Sequence, residues 1–126
     1  VPERIARAGD WRLLTRTMRR SSLPGTFGDD DFARYRAAWG QDDAFGSMVN
    51  WYRAVVRRRD TPRRETVDPP TLVIWGADDE FLARSMAHRS VERCRNGRLT
   101  TIEGATHWVQ HEYPDRVAHL LLEQFA

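Results

Sequence analysis

The stretch TLVIWGADDEFL, residues 71–82, decides the architecture. Thr71 to Trp75 is a continuous apolar, partly β-branched run bounded by Pro70 and Gly76. A run apolar on both faces reads as a buried strand of a parallel sheet, because such strands are covered on both sides. Helical spacing follows from Phe81 to about Arg95 and stops at Asn96-Gly97. Arg98 to Glu103 then reads as a second short strand. It leads into the loop GATHWVQHEYP, residues 104–114. Tyr113-Pro114-Asp115 opens a last helix, with proline in the first turn where its missing N–H costs nothing. Val117, Leu120, Leu121 and Phe125 are expected to form its apolar face. Strand, loop, helix, strand, loop, helix is the alternation of a parallel α/β sheet.

Residues 1 to about 66 are different in kind, with helical patterns and no strand-like run. Ile5, Ala8, Trp11, Leu14, Thr15 and Met18 recur at spacings of three and four, as one helical face does. SSLPGTFG, residues 21–28, is a turn-rich break. Asp29, Asp30 and Asp31 open a second helix, at the end where the helix dipole favours acidic groups. It carries Phe32, Tyr35, Ala38 and Trp39, and Gly40 is its expected stop. A third helix is expected from Ala44 to about Arg58. The segment from Arg58 to Pro70 reads as a charged, proline-punctuated linker.

Composition narrows the function. The chain of 126 residues has the length of one domain; 40% hydrophobic and 30% charged residues mark a soluble globular chain rather than a disordered one. No apolar run approaches the roughly 20 residues of a membrane helix, and the first residues show no signal-peptide core. No membrane partner is therefore expected. All 20 basic residues are arginine, yet the formal net charge is only +2. The cluster of Arg57, Arg58, Arg59, Arg63 and Arg64 has no interleaved aromatic residue; it reads as a solvated linker, and no nucleic-acid partner is expected. Cys94 is the one cysteine, which excludes an intrachain disulfide and any multi-cysteine metal site. It reads as a half-buried structural thiol, and a reducing cytoplasm is the expected location.

In open parallel sheets, ligands sit beyond the carboxyl ends of the strands. Two loops leave such ends, one with Asp78 and Asp79, the other with His107. An aspartate accepting one imidazole N–H fixes the tautomer and leaves the second nitrogen as a base. An acidic pair after a strand also serves as a helix cap, and a loop histidine is ordinary, so spacing alone leaves both readings open.

LVIWGADDEFL and IEGATHWVQHEYPDRV together resemble the last two catalytic segments of the α/β-hydrolase superfamily. There the acid follows a strand in a G-x-x-D pattern and the histidine follows the last strand in a G-x-x-H pattern. Gly76-Ala77-Asp78-Asp79 and Gly104-Ala105-Thr106-His107 fit both, and the register selects Asp79 as the acid, with Asp78 left as a turn or capping residue. SMVNWYRAVVRR, residues 47–58, resembles the cap segment of epoxide hydrolases, and Asn50-Trp51-Tyr52-Arg53 is the more specific signal. DDDFARYRAAWGQDDAF is similar to the cap helix and turn before it. The resemblance covers nearly the whole chain. It implies Tyr52 as donor to the epoxide oxygen, Asp79 as acid and His107 as base.

A phenol can donate a hydrogen bond and then a proton to the alkoxide that ring opening creates. The alternative for Tyr52 is a tyrosine packed in a helical core. Trp51, Trp108, Met48 and Phe81 are candidate pocket walls for an apolar substrate, or core packing. His111 lies four residues after His107 with no acidic pattern to complete a zinc site, and reads as a surface histidine; His88 and His119 read as structural or exposed. No cofactor or metal is expected.

The expected fold is thus a partial α/β-hydrolase fold, a helical cap segment over residues 1–66 and the last two β-α units of the core over residues 67–126. The strand-to-helix elbow that carries the nucleophile is not found in the sequence, nor is the oxyanion segment. Two strands would leave long edges unpaired, so a missing N-terminal half or a self-association partner is expected. Alternatives of the same fold are a haloalkane or haloacid dehalogenase and a serine hydrolase. An alternative of another class is a non-catalytic, self-associating interaction module.

Overall fold

The structure, a computed structural model, describes residues 2–57 and 66–126. Its elements in chain order are α1 (Pro2–Arg20), α2 (Asp29–Trp39), α3 (Ala44–Arg57), β1 (Thr71–Gly76), α4 (Arg84–Glu92), β2 (Gly97–Ile102), α5 (Val109–Glu112) and α6 (Pro114–Phe125). They form two compact units. One holds α1, α2 and α3; the other holds both strands, α4, α5 and α6, together with Ser21–Thr26. Of the arginine cluster, Arg58, Arg59, Arg63 and Arg64 lie outside the described residues, while Arg57 ends α3.

The helical unit is built on aromatic packing. Trp11 meets Phe45 edge-on at 4.9 Å between ring centroids and Trp39 at 5.6 Å, and Tyr35 stacks on Trp39 at 5.3 Å. Large rings bury much surface per residue, which suits a small three-helix unit. α1 departs from the single face expected of it. Ala8 is extended (ψ 135°), and Gly9, Asp10 and Trp11 have positive φ, so the helix breaks there. The break resets the phase. Trp11, Thr15 and Met18 are buried as expected, Leu14 is half-buried, and Ile5 and Ala8 are exposed; Ala6 is the buried residue before the break.

α2 begins and ends where its sequence signals stand. The Asp31 carboxylate accepts from the Gly28 N–H (2.9 Å), and the Gly40 N–H donates back to Arg36 O (2.9 Å). These bonds satisfy backbone groups that a helix end otherwise leaves open. Phe32 and Trp39 are buried, Tyr35 is half-buried and Ala38 is exposed. α3 buries Phe45 but leaves Met48, Trp51, Tyr52, Val55 and Val56 exposed. Those five recur at helical spacing, so one apolar face of α3 is uncovered.

In the second unit β1 and β2 pair in parallel, in register from Thr71↔Gly97 to Gly76↔Ile102. α4 is the crossover between them, which a parallel pair requires. Ile102, Ala105 and Leu120 form the core, with Leu72, Ile74, Val109, Tyr113 and Val117 against it. Three expectations are corrected here. β1 is half-buried rather than buried on both faces, because it has one neighbouring strand among the described residues. α4 starts at Arg84, not Phe81, because the Asp79 carboxylate takes the N–H groups of Phe81 and Leu82 and holds them in a turn. On α6, Val117 and Leu120 pack inward, but Leu121 and Phe125 face solvent, Phe125 at 83% exposure. A helix lying on so narrow a sheet can bury only a thin stripe.

Cys94 is a free, half-buried thiol whose Sγ lies 3.3 Å from Ser90 O. No helix among the described residues is long and apolar enough to cross a membrane.

Candidate active site

Both site loops start at the carboxyl ends of their strands and are laced to one another through the backbone. The Ala77 N–H donates to Ile102 O (3.0 Å), and the Asp78 N–H to Ala105 O (2.9 Å). This approach needs a glycine. A Cβ on Gly76 would drive into the Thr106 carbonyl oxygen and stand 2.6 Å from Ala105 O. Gly104 turns the second loop with φ +75°, a left-handed conformation that side chains disfavour. The glycines of the G-x-x-D and G-x-x-H patterns therefore have separate physical reasons: the first allows contact, the second a turn.

The lacing brings Asp79 Oδ2 to 2.9 Å from His107 Nδ1. Asp79 Oδ1 is occupied by the N–H groups of Phe81 (2.8 Å) and Leu82 (3.0 Å), so both carboxylate oxygens are directed. The side chain of Asp79 is 7% exposed and that of His107 36%. Burial pushes the Asp79 carboxyl upward, but the hydrogen bonds from His107, Leu82 and Phe81 outweigh it, and the group is held below the usual carboxylate value. A carboxylate at this distance holds the proton on Nδ1 and leaves the Nε2 lone pair free for base chemistry. Asp78, the neighbouring candidate, is exposed.

The expected wall residues divide between the units. Phe81 and Trp108 stand edge-on to the His107 ring, at 5.0 and 5.3 Å between centroids. The Trp108 indole N–H donates to Ser21 Oγ (2.9 Å). Tyr52, Trp51 and Met48 belong to the helical unit, where Tyr52 and Trp51 are each 78% exposed. The described contacts thus group Asp79, His107, Phe81 and Trp108, while the tyrosine is carried on α3. His111, His88 and His119 are exposed, and His119 Nε2 lies 3.2 Å from Glu123. Among the described residues no group of three or more His, Cys, Asp or Glu side chains could hold a metal ion.

One residue of the loop was not singled out from sequence. Glu112 accepts hydrogen bonds from the Thr106 N–H (2.7 Å), the Thr106 hydroxyl (2.6 Å) and the Leu23 N–H (2.9 Å). The available signal was an acid five positions after the histidine, at the close of a turn. Without the three-dimensional course of that turn it reads as one more surface charge.

Known proteins resemble this chain in sequence and in fold. Residues 1–120 match the alpha/beta hydrolase family. The chain is 38% identical over 125 residues to the AB hydrolase superfamily protein YfhM of Bacillus subtilis, spanning 98% of this chain and 43% of that protein. It is 33% identical over 131 residues to Epoxide hydrolase 2 of Caenorhabditis elegans, spanning 99% of this chain and 36% of that protein. A crystal structure of the Bacillus megaterium epoxide hydrolase superposes with a TM-score of 0.76 at 20% identity, covering 96% of this chain and 46% of that one; at that identity the likeness is one of fold. The chain spans less than half the length of each of these relatives. With its helical segment, its two parallel strands and the two loops that leave them, the chain belongs to the alpha/beta hydrolase family, as the cap and C-terminal part of an epoxide-hydrolase-like fold.

Proposed function

We propose that this chain supplies the acid–base pair and the ring-opening tyrosine of an epoxide hydrolase, and that the nucleophile comes from a part of the enzyme outside it. The observation that carries the reading is the 2.9 Å approach of Asp79 Oδ2 to His107 Nδ1 at the carboxyl ends of two parallel strands. Its support is the Asn50-Trp51-Tyr52-Arg53 segment and the relatives that are themselves named epoxide hydrolases.

The reaction runs in two halves. A carboxylate from the missing part attacks an epoxide carbon; the C–O bond breaks and its electron pair stays on the ring oxygen. The Tyr52 hydroxyl, with a second donor outside this chain, hydrogen-bonds that oxygen and gives it a proton. The product is a hydroxyalkyl ester of the carboxylate. His107 Nε2 then takes a proton from water, the hydroxide attacks the ester carbonyl, and Asp79 stabilises the imidazolium. Collapse releases the diol, whose leaving oxygen takes the proton back from His107; the carboxyl freed by hydrolysis keeps the second water proton, and its return to the Tyr52 phenolate restores the starting state. Phe81 and Trp108 beside His107, and Trp51 and Met48 on α3, are the proposed walls for an apolar epoxide. No step calls for a cofactor or metal.

The exposed face of α3 and the open edges of the two-stranded sheet are the surfaces that the remaining part of the hydrolase, or a second copy, would cover. The test is diol formation from styrene oxide by the complete hydrolase that carries this chain. Wild type is expected to turn over, and His107→Ala to lose about 10²–10⁴-fold of that rate. Halide release from a haloalkane with no diol formation would move the protein to a dehalogenase, and cleavage of an aryl ester by a serine nucleophile would move it to a serine hydrolase.

A further inference from the structure

We propose that Glu112 is a positioning residue for His107, acting through the backbone on both sides of it. The inference rests on the acid–base role given to His107 above. Glu112 does not touch the imidazole in the described contacts. It holds the residue before it: the Thr106 N–H donates to Oε2 at 2.7 Å, and the Thr106 hydroxyl to Oε1 at 2.6 Å. The residue after it is tied in turn, because the Trp108 N–H donates to Thr106 Oγ1 at 3.3 Å. The turn then closes on itself, with the N–H groups of His111 and Glu112 both donating to Trp108 O (2.8 and 3.0 Å). The side chain of His107 lies outside this ring of bonds, with Nδ1 at 2.9 Å from Asp79 Oδ2.

Two anchors fix the ring from outside. The Leu23 N–H donates to Glu112 Oε1 (2.9 Å), and the Trp108 indole donates to Ser21 Oγ (2.9 Å). Both come from Ser21–Thr26, the segment that belongs to the second unit although it lies between α1 and α2 in sequence. A carboxylate is the group that suits this place. Three donors converge on it, and an ionised carboxylate is a pure acceptor with room for all three, whereas an amide would turn an NH₂ toward one of them. Charge-assisted bonds of 2.6–2.7 Å are at the short, strong end of the range. Removing the carboxylate leaves the half-buried Thr106 N–H without its acceptor, and the loop has to shift to find water. A base whose imidazole must sit within a narrow range of Asp79 and of the ester carbonyl is sensitive to such a shift.

The prediction has a kinetic form that loss of folding does not reproduce. His107 acts in ester hydrolysis and not in the attack on the epoxide. In the complete hydrolase, Glu112→Ala is therefore expected to lower kcat about tenfold or more, with KM falling alongside, so that kcat/KM stays within about twofold. Thr106→Val should give the same pattern in weaker form, and Thr106→Ser, which keeps the hydroxyl, should restore wild-type behaviour. A second readout does not need catalysis: the proton on His107 Nδ1 should give a slowly exchanging downfield resonance in the wild-type chain, broadened or lost in Glu112→Gln while far-UV circular dichroism is unchanged. Wild-type kcat in Glu112→Ala together with an intact His107 resonance in Glu112→Gln would overturn the proposal. So would a Thr106→Val variant indistinguishable from wild type in both readouts. If His107→Ala retains full turnover, the acid–base reading fails by itself, and the resonance still decides whether Glu112 orders the Asp79–His107 bond.

Discussion

The two units hold their candidate residues by different means. In the helical unit Tyr52 and Trp51 stand on a regular helix, each 78% exposed, on a face that also carries Met48, Val55 and Val56. Their face is set by helix geometry. In the second unit Asp79 and His107 stand on irregular loops, yet each is held by specific hydrogen bonds. Two backbone bonds join the loops, two more point Asp79 Oδ1, and Gly76 lets Thr106 O approach the end of β1. An acid–base pair requires placement to within fractions of an ångström, which polar contacts at short range can supply. A pocket wall or an oxygen donor on a helix requires only the correct face, and completes its surroundings when something covers that face.

The contrast is broken most severely at the proposed acid–base pair. Asp79→Asn keeps the shape but turns a donor amide or a weaker acceptor toward Nδ1, so the imidazole loses its preferred tautomer. Diol turnover in the complete hydrolase should fall about 10²–10⁴-fold, measured as steady-state kcat. Tyr52→Phe comes next. Removing one hydrogen-bond donor from a developing alkoxide should cost about 10²-fold in the ring-opening rate, read in a single-turnover experiment. Because Tyr52 lies on an exposed helix face in this chain, Tyr52→Phe made in this chain should unfold at the same denaturant concentration as wild type.

Stability effects rank below these and run the other way between the units. Gly76→Ala forces a methyl group against backbone carbonyls that have no rotamer to escape into. A loss of about 1–3 kcal/mol is expected from the denaturation midpoint. Trp51→Ser on the exposed face of α3 should stay within about 0.5 kcal/mol of wild type in this chain. A large loss there would show that the face is covered.

Much of this architecture is legible in residues 71–126. Apolar runs bounded by Pro70, Gly76 and Gly97 mark the strands, and Pro114 marks the start of α6. The three helices of the other unit are legible too, from Asp29–Asp31, Gly40 and the spacing of Phe32 and Trp39. The break in α1 was not. Periodicity from Ile5 to Met18 looks continuous because the residues on each side both have helical spacing, and a phase shift of a few residues hides within it. The start of α4 was misplaced for a related reason. Phe81 continues the apolar pattern of the helix, but its N–H is claimed by Asp79, a bond between a side chain and a nearby backbone that hydrophobic spacing does not encode. Glu112 stayed hidden because its partners, Thr106 and Leu23, are 6 and 89 positions away. The exposed side of α6 was overread for want of the sheet's width, since Leu121 and Phe125 are apolar but have little to lie on.

The smallest expected effect concerns acid. The Asp79 carboxyl is held below its ordinary value by His107 and two backbone N–H groups despite its burial. A group depressed in the folded state contributes stability above its unfolded pKa, near 3.9, and that contribution is lost as pH falls through the folded value. Unfolding free energy followed by denaturation between pH 6 and pH 3 should therefore decline, with a shallower decline in Asp79→Asn. Parallel curves for the two proteins would show that the His107 contact adds nothing to the fold.

The most direct test of the central claim, that His107 works on a covalent ester made by a nucleophile outside this chain, is intact-protein mass spectrometry of the complete hydrolase after mixing with styrene oxide. His107→Ala is predicted to gain the mass of one epoxide and keep it for minutes to hours. Wild type should show no persistent adduct while it releases diol. An unmodified His107→Ala protein that still forms diol at the wild-type rate would contradict the account.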